Sequence, residues 1–336
     1  MPKESYQALV VRESGTGVTR TIERLSTEDL PDGDVLIQVH YSSLNYKDAM
    51  SASGNKAITR HFPHTPGIDA AGIVMESSSD TFSQGDSVIV TSYDLGMNTP
   101  GGFGQYVRVP ESWIVPLPGN LSLQDSMIYG TAGFTAALAI HRMETNGLTP
   151  GSGRVLVTGA TGGVGSLAVA ILSRAGYDVV AATGKVAATE YLKSLGASEV
   201  ITREDTDDID CKPLTREQWC GVVDSVGGNT LATSIAATRY RGTVATCGLV
   251  RSHELSTTVY PFILRGVSLL GIDSANCPMS ERKVIWQKIS GEWKIKATAK
   301  ISKVCTLETL EPEIQRILDG QQTGRVLVQH SGIPDE

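Results

Sequence analysis

Through the second half of the chain, six short β-branched or apolar runs alternate with helical stretches, and this alternation limits the fold more than any other feature. The runs cover Arg154–Thr158, Asp178–Ala182, Glu199–Ile201, Gly221–Asp224, Thr243–Cys247 and Ser268–Gly271, at intervals of roughly 20–25 residues. Between them Gly165–Arg174, Ala187–Leu195 and Thr230–Tyr240 have helical texture. A strand that returns parallel to its predecessor needs a crossover, and helices in that role cover both faces of the sheet. The expectation is α/β: a parallel, doubly wound, six-stranded sheet, the layout of a Rossmann dinucleotide-binding domain.

The first of these strands runs into Thr158-Gly159-Ala160-Thr161-Gly162-Gly163-Val164-Gly165-Ser166. Within it, Ala160-x-Gly162-x-x-Gly165 has the spacing of a phosphate-binding turn with alanine at the first glycine position. A small residue permits the tight turn, Gly162 lets backbone approach a pyrophosphate, and Gly165 lets helix and strand pack closely. The helix N-terminus then turns its unpaired N–H groups toward the anion. Thr161, Gly162, Gly163 and Val164 are the expected contacts. The next strand ends in Thr183-Gly184-Lys185, where a site for NAD usually presents Asp or Glu to the ribose. Asp178 opens that strand, at the wrong end for this purpose. A hydroxyl, an accessible backbone N–H and a cation suit a 2′-phosphate, and Arg203 after the third strand adds a second cation. NADPH is the expected cofactor; the alternative is that Lys185 and Arg203 are solvated surface cations.

The first half has a different texture. Gln7–Val11, Val35–Tyr41, Ala70–Met75, Ser87–Thr91 and Gln105–Val109 are short and separated by Gly, Pro, Asp and Ser, as in a small barrel-like β domain. An Ala-rich helical stretch, Tyr129–Met143, then leads into the second domain. The expected boundaries are 1–124 for the β-rich domain and 125–298 for the nucleotide domain. The tail, with a strand at Lys300–Val304, a helix at Leu307–Leu318 and a closing strand at Arg325–Gln329, is expected to complete the first domain over 299–336.

With 29 Lys plus Arg against 36 Asp plus Glu, the net charge of −7 offers no broad basic field for nucleic acid. Apolar stretches such as Ala168–Leu172 and Val267–Ile272 fall far short of the roughly 18–20 residues a membrane span requires. The start, Met1-Pro2-Lys3-Glu4-Ser5-Tyr6, has no signal-peptide core. Five cysteines, at 211, 220, 247, 277 and 305, form no C-x-x-C pair and suit a reducing compartment. A soluble, cytoplasmic protein is expected.

Gly130-Thr131-Ala132-Gly133-Phe134-Thr135-Ala136 followed by the glycine turn resembles the zinc-free, quinone-oxidoreductase-like branch of the medium-chain dehydrogenase/reductase superfamily, over nearly the whole chain. Four further segments narrow the match: Ser42–Ala49, Phe62-Pro63-x-x-Pro66-Gly67-Ile68-Asp69, Tyr191–Ala197 and Pro261–Val267 are similar to those of NADPH-dependent acrylyl-CoA reductases. The resemblance implies a GroES-like catalytic domain completed by the C-terminus, and reduction of an activated carbon–carbon double bond. It carries Tyr46, Leu249, Ile263 and Ser274 to the nicotinamide; for Leu249 and Ile263 the alternative is plain core packing. The superfamily's zinc branch has a Cys near Asn45–Asp48 and Gly-His-Glu near residue 67. Here the chain has Gly67-Ile68-Asp69 and no cysteine before 211, so no metal is expected. His61-x-x-His64 is the one close histidine pair and is expected to be a loop pair.

Without a Lewis acid, conjugate reduction needs a hydride donor and stabilisation of the enolate that forms. Tyr46, expected in a loop after strand Val35–Tyr41, is the candidate to orient the nicotinamide or hydrogen-bond near the substrate carbonyl. Asn45 is a candidate orienting donor, and Asp48 either shares that role or holds the loop. Arg60, with His61 and Arg265, is a candidate for the phosphates of a CoA ester, against solvated loop cations. Lys294, Lys296, Lys300 and Lys303 are expected to form a wet face. The leading function is NADPH-dependent reduction of acrylyl-CoA to propanoyl-CoA. Reduction of quinones or free enones, and a non-catalytic nucleotide-binding role, are the alternatives. The apolar run Gly266–Ile272 in the last strand predicts pairing of two sheet edges, hence a homodimer.

Overall fold

The computed structural model describes residues 5–15, 17–295 and 298–332; Lys296 of the expected lysine face and the first four residues lie outside these. The chain begins with β1 (Ser5–Ser14), β2 (Gly17–Ser26) and β3 (Val35–Leu44), then α1 (Tyr46–Ala52), β4 (Asp69–Ser77), β5 (Ser87–Thr91), β6 (Tyr106–Val109) and β7 (Ile114–Pro116). After α2 (Leu123–Thr145) come β8 (Arg154–Val157), α3 (Gly163–Arg174), β9 (Asp178–Thr183), α4 (Thr189–Ser194), β10 (Glu199–Thr202), β11 (Trp219–Asp224), α5 (Gly228–Ala236), β12 (Thr238–Thr246), α6 (Tyr260–Arg265) and β13 (Ser268–Gly271). The chain ends with α7 (Met279–Ser290), α8 (Thr298–Ile301), β14 (Ser302–Cys305), α9 (Glu311–Leu318) and β15 (Arg325–Gln329). Two units result. One comprises Met1–Thr131, Ala275–Lys283 and Thr298–Glu336, the other Ala132–Ser274 and Val284–Ala297.

The first unit holds a seven-stranded sheet in the order β14-β15-β3-β4-β5-β7, with β6 on β3, and the antiparallel ribbon β1-β2. Alternation along β3 builds two cores from one strand, because successive side chains leave on opposite faces. Val35, Ile37 and Val39 pack with Val88, Val90 and Val107, while Leu36 packs with Tyr6, Ala8, Val10 and Tyr106. This is the expected β-rich, GroES-like sheet. At the C-terminal end β15 pairs antiparallel with β3 and β14 lies outside it, while the strand expected from Lys300 begins only at Ser302, because Lys300 and Ile301 belong to α8.

The second unit holds the parallel sheet in the order β10-β9-β8-β11-β12-β13, the doubly wound order with its reversal between β8 and β11. Leu156, Val180, Val222 and Val244, one from each of the four central strands, share a fully buried core. Each such side chain contributes about 1.5–3 kcal/mol of burial free energy. Their continuous apolar runs reflect a sheet covered on both faces.

Four other local expectations need correction. Strand β2 was not anticipated, because its sequence GVTRTIERLS is largely polar and the strand stays mostly exposed while pairing with β1 along its whole length. The helix expected to reach Tyr240 ends at Ala236; the chain then enters β12 at Thr238, which pairs with Trp219 of β11. The helix expected over Leu307–Leu318 is a 3-10 turn, Leu307–Thr309, followed by α9, with Pro312 in the first turn of the new helix. Finally, Tyr46 is not in a loop but is the first residue of α1.

Candidate active site: a glycine turn and a buried carboxylate cluster

In the second unit, β8 hands the chain to α3 through the glycine turn. Gly159 has φ 59°, and Ala160 N–H donates to Ala182 O of β9 (3.1 Å), which seats the turn at the ends of two adjacent strands. A Cβ on Gly165 would lie 2.3 Å from Gly159 O and 2.7 Å from Ala160 Cα, so the helix can approach the turn only with glycine there. Gly162 is the N-cap of α3, and a Cβ on it would meet nothing nearer than 3.4 Å. Its surroundings are open where a pyrophosphate would approach. No acidic residue stands in the first turn of α3, which keeps the positive end of its dipole available to an anion. Asp224, at the end of β11, braces the turn from beneath: its carboxylate accepts from Thr158 Oγ1 (2.7 Å) and Gly227 N (2.9 Å). Burial pushes Asp224 above the usual carboxylate range.

At the end of β9, Thr183 Oγ1 accepts from Lys185 N (3.0 Å) and lies 3.5 Å from Thr161 Oγ1. Gly184 is flanked by the Arg203 guanidinium, which a Cβ at that position would meet at 2.6 Å. The missing side chain thus lets Arg203 lie against the strand end beside Lys185. Burial first, and then Arg203, draws the Lys185 ammonium below its usual pKa. Two cations held together in this way suit a dianionic phosphate group, which relieves their repulsion. These residues fit NADPH. Thr135 Oγ1 donates to Ser274 Oγ (2.7 Å). Leu249 and Ile263 are 63% and 69% exposed, so neither is packed in the core.

In the first unit, Asn45 caps α1: its backbone N–H donates to Asp48 Oδ2 (2.7 Å), and its carbonyl accepts from Asp48 and Ala49 N–H. Asp48 Oδ1 accepts from Ile68 N (2.8 Å), so the carboxylate ties the helix to the segment entering β4. Burial, followed by the nearby Asp69, raises Asp48 to about 7. Asp69 is enclosed too: its carboxylate accepts from Ser43 Oγ (2.6 Å), Asn45 Nδ2 (2.8 Å), Thr131 N (2.9 Å) and Thr131 Oγ1 (2.6 Å), and Arg325 Nη2 stands 3.7 Å away. Gly130 makes this possible. It breaks α2 with φ 48°, ψ −154°, and a Cβ on it would lie 2.5 Å from both Asp69 Oδ2 and Ser43 Oγ.

Tyr46 emerges from this cap with 46% of its surface exposed, whereas Asn45 is buried with its amide engaged on both sides. Arg60 is exposed; its backbone N–H donates to Asn98 Oδ1 (3.3 Å). Arg265 is not available to a ligand: it donates to the carbonyls of Ala236, Thr238 and Thr215 and fastens the end of α5. His61 is exposed while His64 is buried against Gly96 O, and among the described residues no three His, Cys, Asp or Glu side chains are placed to hold a metal ion. Lys303 pairs with Glu313. No described helix is long and apolar enough to cross a membrane.

Two family models match the chain, an alcohol dehydrogenase GroES-like domain over residues 31–119 and a zinc-binding dehydrogenase domain over residues 163–290. YhfP of Bacillus subtilis is 50% identical over 96% of this chain and 98% of its own length. Its crystal structure with NAD bound superposes with a TM-score of 0.94, covering 97% of this chain and 99% of that one. The acrylyl-CoA reductase AcuI of Ruegeria pomeroyi is 43% identical over 96% of this chain and 98% of its own. The yhdH oxidoreductase of Salmonella enterica, solved in complex with NADP, is 41% identical with a TM-score of 0.94, over 96% of this chain and 99% of that one. With both domain models in order and full-length relatives at this identity, the chain belongs to the medium-chain dehydrogenase/reductase family.

Proposed function

We propose that the protein is an NADPH-dependent reductase of an activated carbon–carbon double bond, with acrylyl-CoA as its substrate and propanoyl-CoA as product. One observation carries the cofactor: Lys185 and Arg203 meet across Gly184 at the strand end where an NAD site would present a carboxylate. The substrate rests on the full-length similarity to AcuI. YhfP, solved with NAD, makes the cofactor the first thing to measure.

When bound, NADPH would supply a hydride for the β-carbon of the unsaturated thioester, and a proton from a side chain or water would complete the reduction at the α-carbon. The chain's own part is to bind, orient and stabilise. Thr161, Gly162, Gly163 and Val164 take the pyrophosphate at the start of α3, and Thr183, Gly184, Lys185 and Arg203 take the 2′-phosphate. Leu249, Ile263 and Ser274 line the nicotinamide. Tyr46, whose hydroxyl has no hydrogen-bond partner among the described residues, donates to the substrate's carbonyl oxygen as negative charge develops there. Asn45 acts behind it, since its amide is engaged within the protein. Asp48 holds the turn. Arg60, exposed and without a side-chain partner among the described residues, takes a phosphate of the CoA moiety. We also infer a homodimer formed through β13, the edge strand of the parallel sheet, flanked by the exposed Val259, Tyr260 and Leu264.

The test is NADPH oxidation followed with CoA esters of graded chain length beside free enones and quinones. Rapid turnover of acrylyl-CoA is expected. Turnover of quinones alone overturns the substrate, and tight NADPH binding without hydride transfer to any acceptor overturns the enzymatic role. Sedimentation at micromolar concentration tests the dimer, which a monomer would refute.

A further inference from the structure

Arg325 opens β15, and the register that pairs Val326 with Leu44 sets it beside the end of β3. Its enclosed guanidinium donates from Nε to Ile128 O (3.2 Å), from Nη1 to Leu44 O (3.2 Å) and Asn45 Oδ1 (3.1 Å), and from Nη2 to Ser43 Oγ (2.8 Å). Nothing in the nucleotide site uses this cation. Stability alone is a weak reason to keep it, because a buried ion pair is often no better than well-packed apolar residues of the same volume.

Its effect on Asn45 is directional. A side-chain amide has an acceptor oxygen and a donor nitrogen that a half-turn would exchange. Arg325 offers donors to Asn45 Oδ1, while Asp69 Oδ2 (2.8 Å) and Asp48 Oδ2 (3.2 Å) offer acceptors to Nδ2. A flipped amide would set oxygen against two carboxylates and NH2 against a guanidinium. Three groups, the Asp48 carboxyl of α1, Asp69 of β4 and Arg325 of β15, thus select one orientation of the residue that caps α1. Tyr46 follows that cap directly as the first residue of α1, and with no hydrogen bond from its hydroxyl among the described residues, its placement follows the backbone of the turn.

We propose that Arg325 is a positioning residue for Tyr46: acting through Asn45, it locks the cap of α1 in the amide orientation that holds the Tyr46 backbone in place. The consequence for turnover rests on the role of Tyr46 given above, and the experiment separates the two. Arg325→Gln, Arg325→Lys and Asn45→Ser are compared with the wild type as full-length chains. The measurements are acrylyl-CoA kinetics, NADPH affinity by fluorescence titration, and amide exchange of residues 45–49 by mass spectrometry.

In Arg325→Gln, amide exchange over 45–49 should quicken, kcat should fall about tenfold or more, and the NADPH dissociation constant should stay within about twofold, a split that a general loss of structure would not produce. Arg325→Lys, which keeps the charge but not the planar fork, should recover part of kcat. Asn45→Ser retains a capping oxygen but cuts the link to Arg325; it should reproduce the pattern and supplies the answer if Arg325→Gln does not fold. Unchanged exchange in these variants overturns the proposal, whatever the enzyme reduces. Faster exchange with unchanged kcat also overturns it, and if Tyr46→Phe is equally silent, the error lies in the role of Tyr46.

Discussion

The glycine turn and the Asn45–Asp48 cap solve opposite problems. At the turn, binding capacity comes from main-chain groups and from cations left near the surface: the helix start is open around Gly162, and Lys185 and Arg203 sit side by side despite their repulsion. At the cap, every charge is satisfied inside the protein, with two carboxylates and a guanidinium closed over by Ser43, Asn45 and Thr131. The first arrangement suits an anion. The second is complete without any ligand, and its product is a fixed turn with one tyrosine standing out of it. Binding and orientation are therefore separable by substitution.

Removing a carboxylate from the cap should have the largest effect. Asp69→Ala leaves Arg325 buried without its anion and deprives Ser43, Asn45 and Thr131 of their acceptor, a class of change that costs about 3–5 kcal/mol. Urea unfolding measures it. Arg203→Ala is the contrasting case in the other unit: it should leave unfolding nearly unchanged, since it removes a cation from beside Lys185, yet weaken NADPH. Comparable losses of stability in the two variants would break the distinction between a structural and a ligand-directed charge.

Next in size is Tyr46→Phe. If its hydroxyl meets the developing oxyanion, kcat and kcat/KM should fall together by about 10²–10³-fold, as for a removed oxyanion donor. NADPH affinity should hold, because the contacts proposed for its phosphates lie at the glycine turn of the other unit. An unchanged kcat would exclude the hydroxyl from the mechanism and leave water or the cofactor ribose as the proton source. A smaller loss is expected for Lys185→Ala: a charge-assisted bond to phosphate is worth about 1.5–3 kcal/mol, or roughly 10–100-fold in NADPH affinity, with NADH nearly unaffected. Equal losses for both cofactors would refute the 2′-phosphate assignment.

The same contrast explains what could be read from the sequence. The glycine turn, the six strands and Thr183-Gly184-Lys185 are contiguous and periodic, so local spacing is enough to find them. Even there, a glycine between strand and cation does not announce that a guanidinium from residue 203 will lie against it. The cap is different: Ser43, Asn45, Asp48, Asp69, Thr131 and Arg325 meet only after β3, β4, α2 and β15 have assembled. A buried ionisable residue has no period, and Asp69 and Arg325 stand at strand starts where exposed charges are equally common. Gly130 was legible as part of a family motif, but its reason is three-dimensional, since it clears the space for the Asp69 carboxylate. The break in regularity was the available signal, a glycine within a long Ala-rich helical run.

The smallest effect separates the two regions by pH. Asp48 is held at about 7, against an ordinary 3.8, by burial and by Asp69 facing it from β4, with Arg325 from β15 as the opposing charge. Between these two values the folded chain keeps a proton on Asp48 that the unfolded chain has already released. The folded state then binds more protons than the unfolded one, so this group's contribution to stability falls as pH rises from about 4 to about 7 and is level on either side. In Asp48→Asn, a neutral side chain of similar shape, that decline is absent. Urea unfolding of both proteins from pH 4.5 to 8 should therefore show the variant gaining on the wild type as pH rises. Asp224 gives the control at the turn: burial also raises it, but it accepts from Thr158 Oγ1 and Gly227 N–H with no second carboxylate among the causes of its shift. Its replacement by Asn should give the same sign. A stability difference between wild type and Asp48→Asn that does not change with pH would mean that Asp48 is ionised throughout, with Arg325 strong enough to hold its carboxylate charged.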